Sequence, residues 1–247
     1  MSSCPTHFVL CCLSVHQVEV ESGTESVLLP LKVPRFPWFC IFRLLQVDKV
    51  EWMDGGNRTV HVNQNGHNQP EEQNWLYRTR TRMDENLLKT GDLSLTLSWP
   101  TDEDEKTYIC SVYSRKGDVL MEKQVWLKVK VQQVEVESGT ASVLLPLKVP
   151  RFPWFCIFRL QVDKVEWRDR DNRKVHVNQN GHNQPEEQNH LYRTRTRVDE
   201  NLLKTGDLSL TLRRPTGGDK NLYTCRVYSR KGDVLMMKQV QLKVKGQ

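Results

Sequence analysis

Asp104-Glu-Lys-Thr-Tyr108-Ile-Cys110 returns, as the pattern Asp-x-x-x-Tyr-x-Cys, in Asp219-Lys-Asn-Leu-Tyr223-Thr-Cys225. Residues two apart on a strand share a face, so each Tyr and its Cys point together into one side of a sheet. The Tyr hydroxyl can then bond back to the backbone at the preceding corner, while the Cys meets the opposite sheet. Upstream of each copy stands Lys-Val-Glu-Trp, ending at Trp52 and at Trp167, a strand that offers a tryptophan to the core. Trp52 to Cys110 is 58 residues, and so is Trp167 to Cys225. A tryptophan strand and a tyrosine-cysteine strand, met twice at one spacing, define an all-β chain of two immunoglobulin-like sandwiches.

The repeat extends well beyond these motifs. Residues 17–130 and 133–245 align with one extra residue, Leu45, in the first copy, and about 94 of 113 aligned positions are identical. A period near 115 is a whole sandwich domain, far too long for a solenoid unit. The expected organisation is a degenerate or partial signal segment over 1–16, a first domain over 17–130 and a second over 131–247. The junction Lys128-Val-Lys-Val-Gln-Gln-Val134 contains no Gly or Pro, which predicts a stiff connection.

Each copy reads as nine short strands. In the first, Gln17-Val-Glu-Val20 is strand A, and Val27, Leu29 and Leu31 alternate along strand B. Residues 47–53 form strand C with Val50 and Trp52 inward, and Val60-His-Val62 forms C′. Asn63-Gln-Asn-Gly66 closes a hairpin, Asn-Gly being a strong hairpin signal. Tyr77-Arg-Thr-Arg-Thr-Arg82 reads as strand D, and Leu93, Leu95 and Leu97 alternate as strand E. After strand F, Lys116-Gly-Asp118 turns into strand G, where Val125, Leu127 and Val129 face inward. Nine strands with a C′ region describe the variable (V-set) type of sandwich.

Val60-His-Val, Gln69-Pro-Glu-Glu, Tyr77-x-x-Arg80-Thr81 and Gly91-Asp-Leu-Ser-Leu-Thr-Leu97 resemble the V-set domains of butyrophilins and of myelin-oligodendrocyte glycoprotein. Related fish V-set proteins and T-cell co-signalling ligands share the pattern. The resemblance covers both repeats, and it implies that Arg80 pairs with Asp104, and Arg195 with Asp219, bridging strand D to the E–F corner. The chain departs from the family at strand B, where Leu31 and Leu147 stand in place of a cysteine. Cys40 and Cys156 come nine residues later, a distance of roughly 30 Å in extended chain, so positions 31 and 40 cannot share one bridge site. In one reading Leu31 fills the core, Cys40 lies in an enlarged B–C loop and Cys110 is a buried free thiol. In the other, residues 36–42 replace strand B and the bridges are Cys40–Cys110 and Cys156–Cys225. The cleaner alternation around Leu31, and the prolines at 34 and 37, favour the first.

Charge and cysteine usage bound the compartment. The net charge of +6 hides an asymmetry. Residues 1–130 carry 15 basic against 17 acidic side chains, whereas residues 131–247 carry 21 against 13. Either the second surface drifted in charge, or it faces an acidic partner such as a glycan, a membrane surface or the first domain. Nucleic acid is not expected as a partner, because stacking aromatics are not interleaved with the basic residues on any one strand. Cys4, Cys11 and Cys12 lie in a short apolar leader without a basic n-region, which leaves two cysteines per domain, as suits an oxidising compartment. No run of 18 apolar residues exists, so no membrane-spanning helix is expected. The chain is expected to be extracellular, either secreted or the ectodomain of a cell-surface protein.

The usual catalytic signatures, His-Glu-x-x-His, the phosphate loop and Gly-x-Ser-x-Gly, are missing. No catalytic residue, metal or cofactor is assigned, and the chain is not expected to be an enzyme. His61 and His67 are spaced by the Asn-Gly turn rather than as a metal pair. Glu71-Glu72 and the acidic residues of 102–105 read as solvated loop charge, and Arg78, Arg80 and Arg82 as one exposed strand face containing a structural arginine. Asn57-Arg-Thr59 is a glycosylation acceptor that Lys174 removes from the second copy.

Differences between the copies point to a function. On strands C, F and G, Met53, Ile109 and Trp126 become Arg168, Thr224 and Gln241, and all three sit at outward positions. Met53, Ile109, Ser111 and Trp126 are the candidate partner-binding residues, since exposed aromatic and Met-rich patches mark protein contacts. Ser98-Trp99 becomes Arg213-Arg214, and Trp99 and Trp126 are candidates for the inter-domain side of the first domain. Trp52, Arg80, Asp104, Tyr108 and Cys110, with Trp167, Arg195, Asp219, Tyr223 and Cys225, are the structural set. These features, with the resemblance, imply immune recognition of a protein receptor or ligand, of the co-signalling type that regulates T-cell responses. The alternatives are homophilic adhesion through the same sheet, or a secreted decoy.

Overall fold

The computed structural model describes residues 15–33, 47–149 and 162–246. Cys40, Cys156 and the stretch 36–42 that the second reading makes strand B lie outside these residues, as do residues 1–14 of the leader. The chain divides into two compact units, the first running to Val129 without Glu21–Gly23, the second made of Glu21–Gly23 and the residues from Lys130 on.

In the first unit, strands β1 (His16–Glu21), β2 (Ser26–Leu29), β3 (Val47–Asp54), β4 (Thr59–Gln64), β5 (His67–Asn68), β6 (Thr81–Arg82), β7 (Leu95–Ser98), β8 (Lys106–Ser114) and β9 (Val119–Lys130) build two sheets. One has the order β1-β9-β8-β3-β4-β5, the other β2-β7-β6. This is the A′GFCC′C″ and BED arrangement of a V-set sandwich. The second unit repeats it with β10 (Gln132–Glu137), β11 (Ser142–Leu145), β12 (Val162–Asp169), β13 (Lys174–Gln179), β14 (His182–Asn183), β15 (Thr196–Arg197), β16 (Leu210–Arg213), β17 (Leu222–Ser229) and β18 (Val234–Lys245). The first strand of each unit joins the large sheet, and β10 runs parallel to β18.

Period-two alternation builds the core. Val27, Leu29 and Leu31, with Leu93, Leu95 and Leu97 from the neighbouring strand of the same small sheet, pack against Trp52 of the facing sheet, which is fully buried. Val125, Leu127 and Val129 close the core from β9. The Trp52 indole Nε1–H donates to the Leu93 carbonyl at 3.0 Å, so the largest core side chain also ties the two sheets together. Leu31 is inside, its amide held by the Ser94 hydroxyl at 2.9 Å, and Cys110 and Cys225 are buried free thiols. Burial pushes the Cys110 thiol up, so it is an inert apolar side chain here.

Strand D is shorter than its composition suggests. Only Thr81–Arg82 pairs with β7, while residues 75–80 fold as consecutive turns. The cause is local: Asn74 Oδ1 accepts from the Leu76 amide, and the Asn74 and Tyr77 carbonyls accept from the Tyr77 and Arg80 amides. Arg78, Arg80 and Arg82 therefore do not share a strand face. Arg78 instead donates from Nε to the Pro70 carbonyl, and Arg80 turns inward.

Candidate functional site

The large sheet of the first domain has an inner face on the core and an outer face that register arranges in rows. Met53 on β3 lies opposite Ile109 on β8, which lies opposite Gln124 on β9. Trp126 stands two residues further along β9, opposite Thr107, and thus diagonal to Ile109. Met53, Ile109 and Trp126 are each partly exposed and occupy neighbouring outward positions of the sheet. The next row is Glu122, Ser111 and Glu51. Ser111 is buried at 7 % exposure and its hydroxyl donates to Glu122 at 3.5 Å, so it supports the patch from beneath. Above that row Lys49 pairs with Glu51 at 3.3 Å and Glu72 at 3.6 Å, and its ammonium lies 6.0 Å from the Tyr113 ring centre. A charged rim thus flanks the apolar centre.

Two buried networks hold this face rigid. Asp54, fully buried at the end of β3, accepts from the Tyr77 hydroxyl at 2.8 Å, Arg58 Nε at 2.8 Å and the Gly56 and Arg58 amides at 2.9 and 3.0 Å. Burial alone would push this carboxyl up, but the Tyr77 and Arg58 hydrogen bonds outweigh it and hold it below the usual carboxylate range. Asp54 therefore clamps the C–C′ turn beside Met53, where Asn57 sits exposed with positive φ. The second network centres on His61 at 3 % exposure. Its Nδ1 accepts from Gln73 Nε2 at 2.8 Å and its Nε2–H donates to Asn68 Oδ1 at 3.1 Å, which ties β4 to β5. Burial pulls the imidazole below the ordinary histidine value and keeps it neutral. Neither network stands out in sequence, since an Asp before Gly-Gly and a His in a strand are ordinary residues. The match of Asp54 with Asp169 and of His61 with His176 across the repeat was the available signal.

At the lower corner Arg80 and Asp104 form a two-pronged pair, Nη2 to Oδ2 at 2.5 Å and Nη1 to Oδ1 at 3.3 Å. Arg80 also donates to the Ser98 and Trp99 carbonyls. The Trp99 backbone takes a left-handed φ of 51°, and Arg214 repeats it at 46°. Arg195 and Asp219 make the same pair at 2.5 Å. The loop 102–105 is not uniformly solvated: Asp104 is buried and closes a capping box with Thr101, and Glu105 accepts from the Val129 amide. The Tyr108 hydroxyl donates to the Asp104 carbonyl at 3.1 Å, and Tyr223 does so to Asp219 at 2.8 Å, completing a tyrosine corner in each domain. Burial raises both phenols far above their ordinary value. Trp75, 77 % exposed in the turns before strand D, belongs to no alternating strand pattern, and His190 replaces it in the second copy.

The equivalent outer face of the second domain is closed by ion pairs. Arg168, in place of Met53, pairs with Glu166. Lys164 reaches Glu166 at 2.8 Å and Glu187 at 3.6 Å, and Lys174, in place of Thr59, reaches Glu187 at 2.7 Å. The Lys174 contact chiefly holds the Glu187 carboxyl below its ordinary value.

Strand order, core tryptophan and tyrosine corner place the chain in one class, the tandem immunoglobulin-like V-set sandwiches. No protein-family model matches the chain, and no curated protein matches it. Among solved structures it is similar to the human B7-H4 IgV-like domain, at 19% identity and a TM-score of 0.35, over 47% of this chain and 92% of that one. It is similar to a structure of ICOS in complex with ICOS-L and an anti ICOS-L VNAR domain, at 18% identity and 0.40, over 90% and 98%. A third is Drosophila OTK extracellular domains 3-5, at 14% and 0.32, over 93% and 63%.

Proposed function

We propose that the chain is an extracellular, non-enzymatic recognition protein that binds a cell-surface protein through the outer face of the large sheet of its first domain. One observation carries this reading. Met53, Ile109 and Trp126 form an apolar centre with a charged rim in the first domain, while the positions of Met53 and Thr59 in the second are locked into ion pairs. An apolar centre inside a polar rim is the anatomy of a protein-binding patch. Together with the butyrophilin-like motifs, it favours a co-signalling role toward T cells, with membership of that family part of the proposal. The test is staining of activated T cells by a labelled multimer of the full chain. Staining by the unmodified chain and its loss in Ile109→Glu are expected; staining that Ile109→Glu leaves intact would remove the proposed face. The same patch also suits self-association, and a concentration-dependent dimer in analytical ultracentrifugation that Ile109→Glu abolishes would favour adhesion instead.

A further inference from the structure

The small sheet of the second domain carries an open groove of about 520 Å³ on its outer face, lined by Ser142, Leu144, Arg197, Ser209, Thr211 and Arg213 among others. Register sets their order. Ser142 lies opposite Arg213, and Leu144 and Arg197 both lie opposite Thr211. Arg197 and Arg213 are therefore diagonal neighbours on one face, about 7–8 Å apart. Both are exposed. The Arg213 guanidinium has no hydrogen-bond or ion-pair partner among the described residues, and Arg197 makes only a 3.9 Å contact with the exposed Glu200. The groove's two carboxylates lie beyond Arg197 and are already engaged. Asp199 accepts from the Asn201 amide and the Thr205 hydroxyl, and Asp207 from the Ser209 amide while facing Lys148.

The repeat supplies a comparison made by nature. Of the ten residues lining the groove, three differ from their first-domain counterparts: Ala141 for Glu25, Val198 for Met83 and Arg213 for Ser98. Two of the three move charge in the same direction, one by deleting an acid and one by adding a base. The adjoining Trp99 also becomes Arg214, exposed and beside the same end.

We infer that this groove binds a sulfated polysaccharide chain. Guanidinium forks match sulfate and carboxylate groups. The Ser142 and Thr211 hydroxyls offer hydrogen bonds to sugar hydroxyls, and Leu144, 53 % exposed, offers an apolar surface to the C–H face of a sugar ring. A flat anionic bilayer fits less well, because a groove with Asp199 and Asp207 at one end admits a single chain along the arginines but not a plane of headgroups. An acidic peptide lacks the long free strand edge it would need, as β15 is two residues long.

Heparin is the probe, immobilised for surface plasmon resonance with the full chain in solution at about 0.15 M salt. The unmodified chain is expected to bind, and to bind less as salt rises. Ala141→Glu with Arg213→Ser, which installs the first domain's own residues, is expected to weaken binding about tenfold or more at unchanged melting temperature. Lys231→Ser, which removes one charge from the exposed F–G turn, is expected to change affinity by less than about twofold. No binding by the unmodified chain would overturn the inference. So would an equal loss in Lys231→Ser, or groove-dependent binding to phosphatidylserine vesicles with none to heparin.

Discussion

The outer faces of the two large sheets share a backbone and differ in what their side chains are bound to. In the second domain Arg168 and Lys174, which replace Met53 and Thr59, are tied to Glu166 and Glu187, in addition to the Lys164 pairs that Lys49 also makes in the first. In the first, Met53 and Ile109 face each other across β3 and β8 with no charge between them. Ion pairs on a surface contribute little to stability but leave no apolar area to bury in a contact. An apolar patch makes the opposite exchange, so one fold yields a sealed face and an adhesive one. The core beneath is the same in both: Trp52 and Trp167 donate to Leu93 and Leu208, and Tyr77 and Tyr192 meet Tyr108 and Tyr223 edge-on at 6.4 Å.

If only the surfaces differ in purpose, disrupting the shared frame should damage either domain. The largest effect is expected from Asp104→Ala, which leaves Arg80, 15 % exposed, without its carboxylate; a loss of about 3–5 kcal/mol should appear in the calorimetric transition of the first domain. Asp219→Ala should cost the second domain less, because Arg195 is 29 % exposed and better solvated. Equal losses would show that exposure at this corner is immaterial. On the surface the domains should part: Ile109→Glu should weaken partner binding by about 2 kcal/mol or more, and Thr224→Glu should leave it unchanged.

A smaller effect should be common to both. His61 and His176 are buried and held neutral, with Nδ1 accepting from a glutamine amide that a protonated ring would face with a second donor. Their folded values lie below the ordinary 6.5, so the unfolded chain takes up protons first. Stability should therefore be full above pH 6.5, fall as pH drops through the window below it, and level off beneath the folded value. His61→Gln should flatten that dependence in the first domain only, as read from denaturant midpoints against pH. Smallest of all is a change of mass. Expressed in a glycosylating cell, the chain should carry a glycosidase-sensitive glycan on Asn57, exposed in its turn, that Thr59→Lys removes.

The strands were legible in the sequence where alternation was uninterrupted. Val27, Leu29 and Leu31, and Leu93, Leu95 and Leu97, could be assigned inward because a one-residue slip would have exposed all of them. Strand D was misread because Tyr77-Arg-Thr-Arg-Thr-Arg82 alternates just as well, while the turns that fold it depend on Asn74 lying outside the pattern. Asp54 and His61 were not legible as a frame, since Tyr77, 23 residues from Asp54, and Gln73, 12 residues from His61, are brought to them only by the folded chain. The binding patch was legible only because the chain carries its own reference copy: Met53, Ile109 and Trp126 are unremarkable until Arg168, Thr224 and Gln241 are set beside them.

That comparison also supplies its most direct test, an exchange of faces within the full chain. Met53→Arg, Ile109→Thr and Trp126→Gln together should abolish staining of activated T cells, while Arg168→Met, Thr224→Ile and Gln241→Trp together should leave it intact, both at unchanged melting temperature. Full staining by the first variant would contradict the assignment of recognition to the first domain's outer sheet.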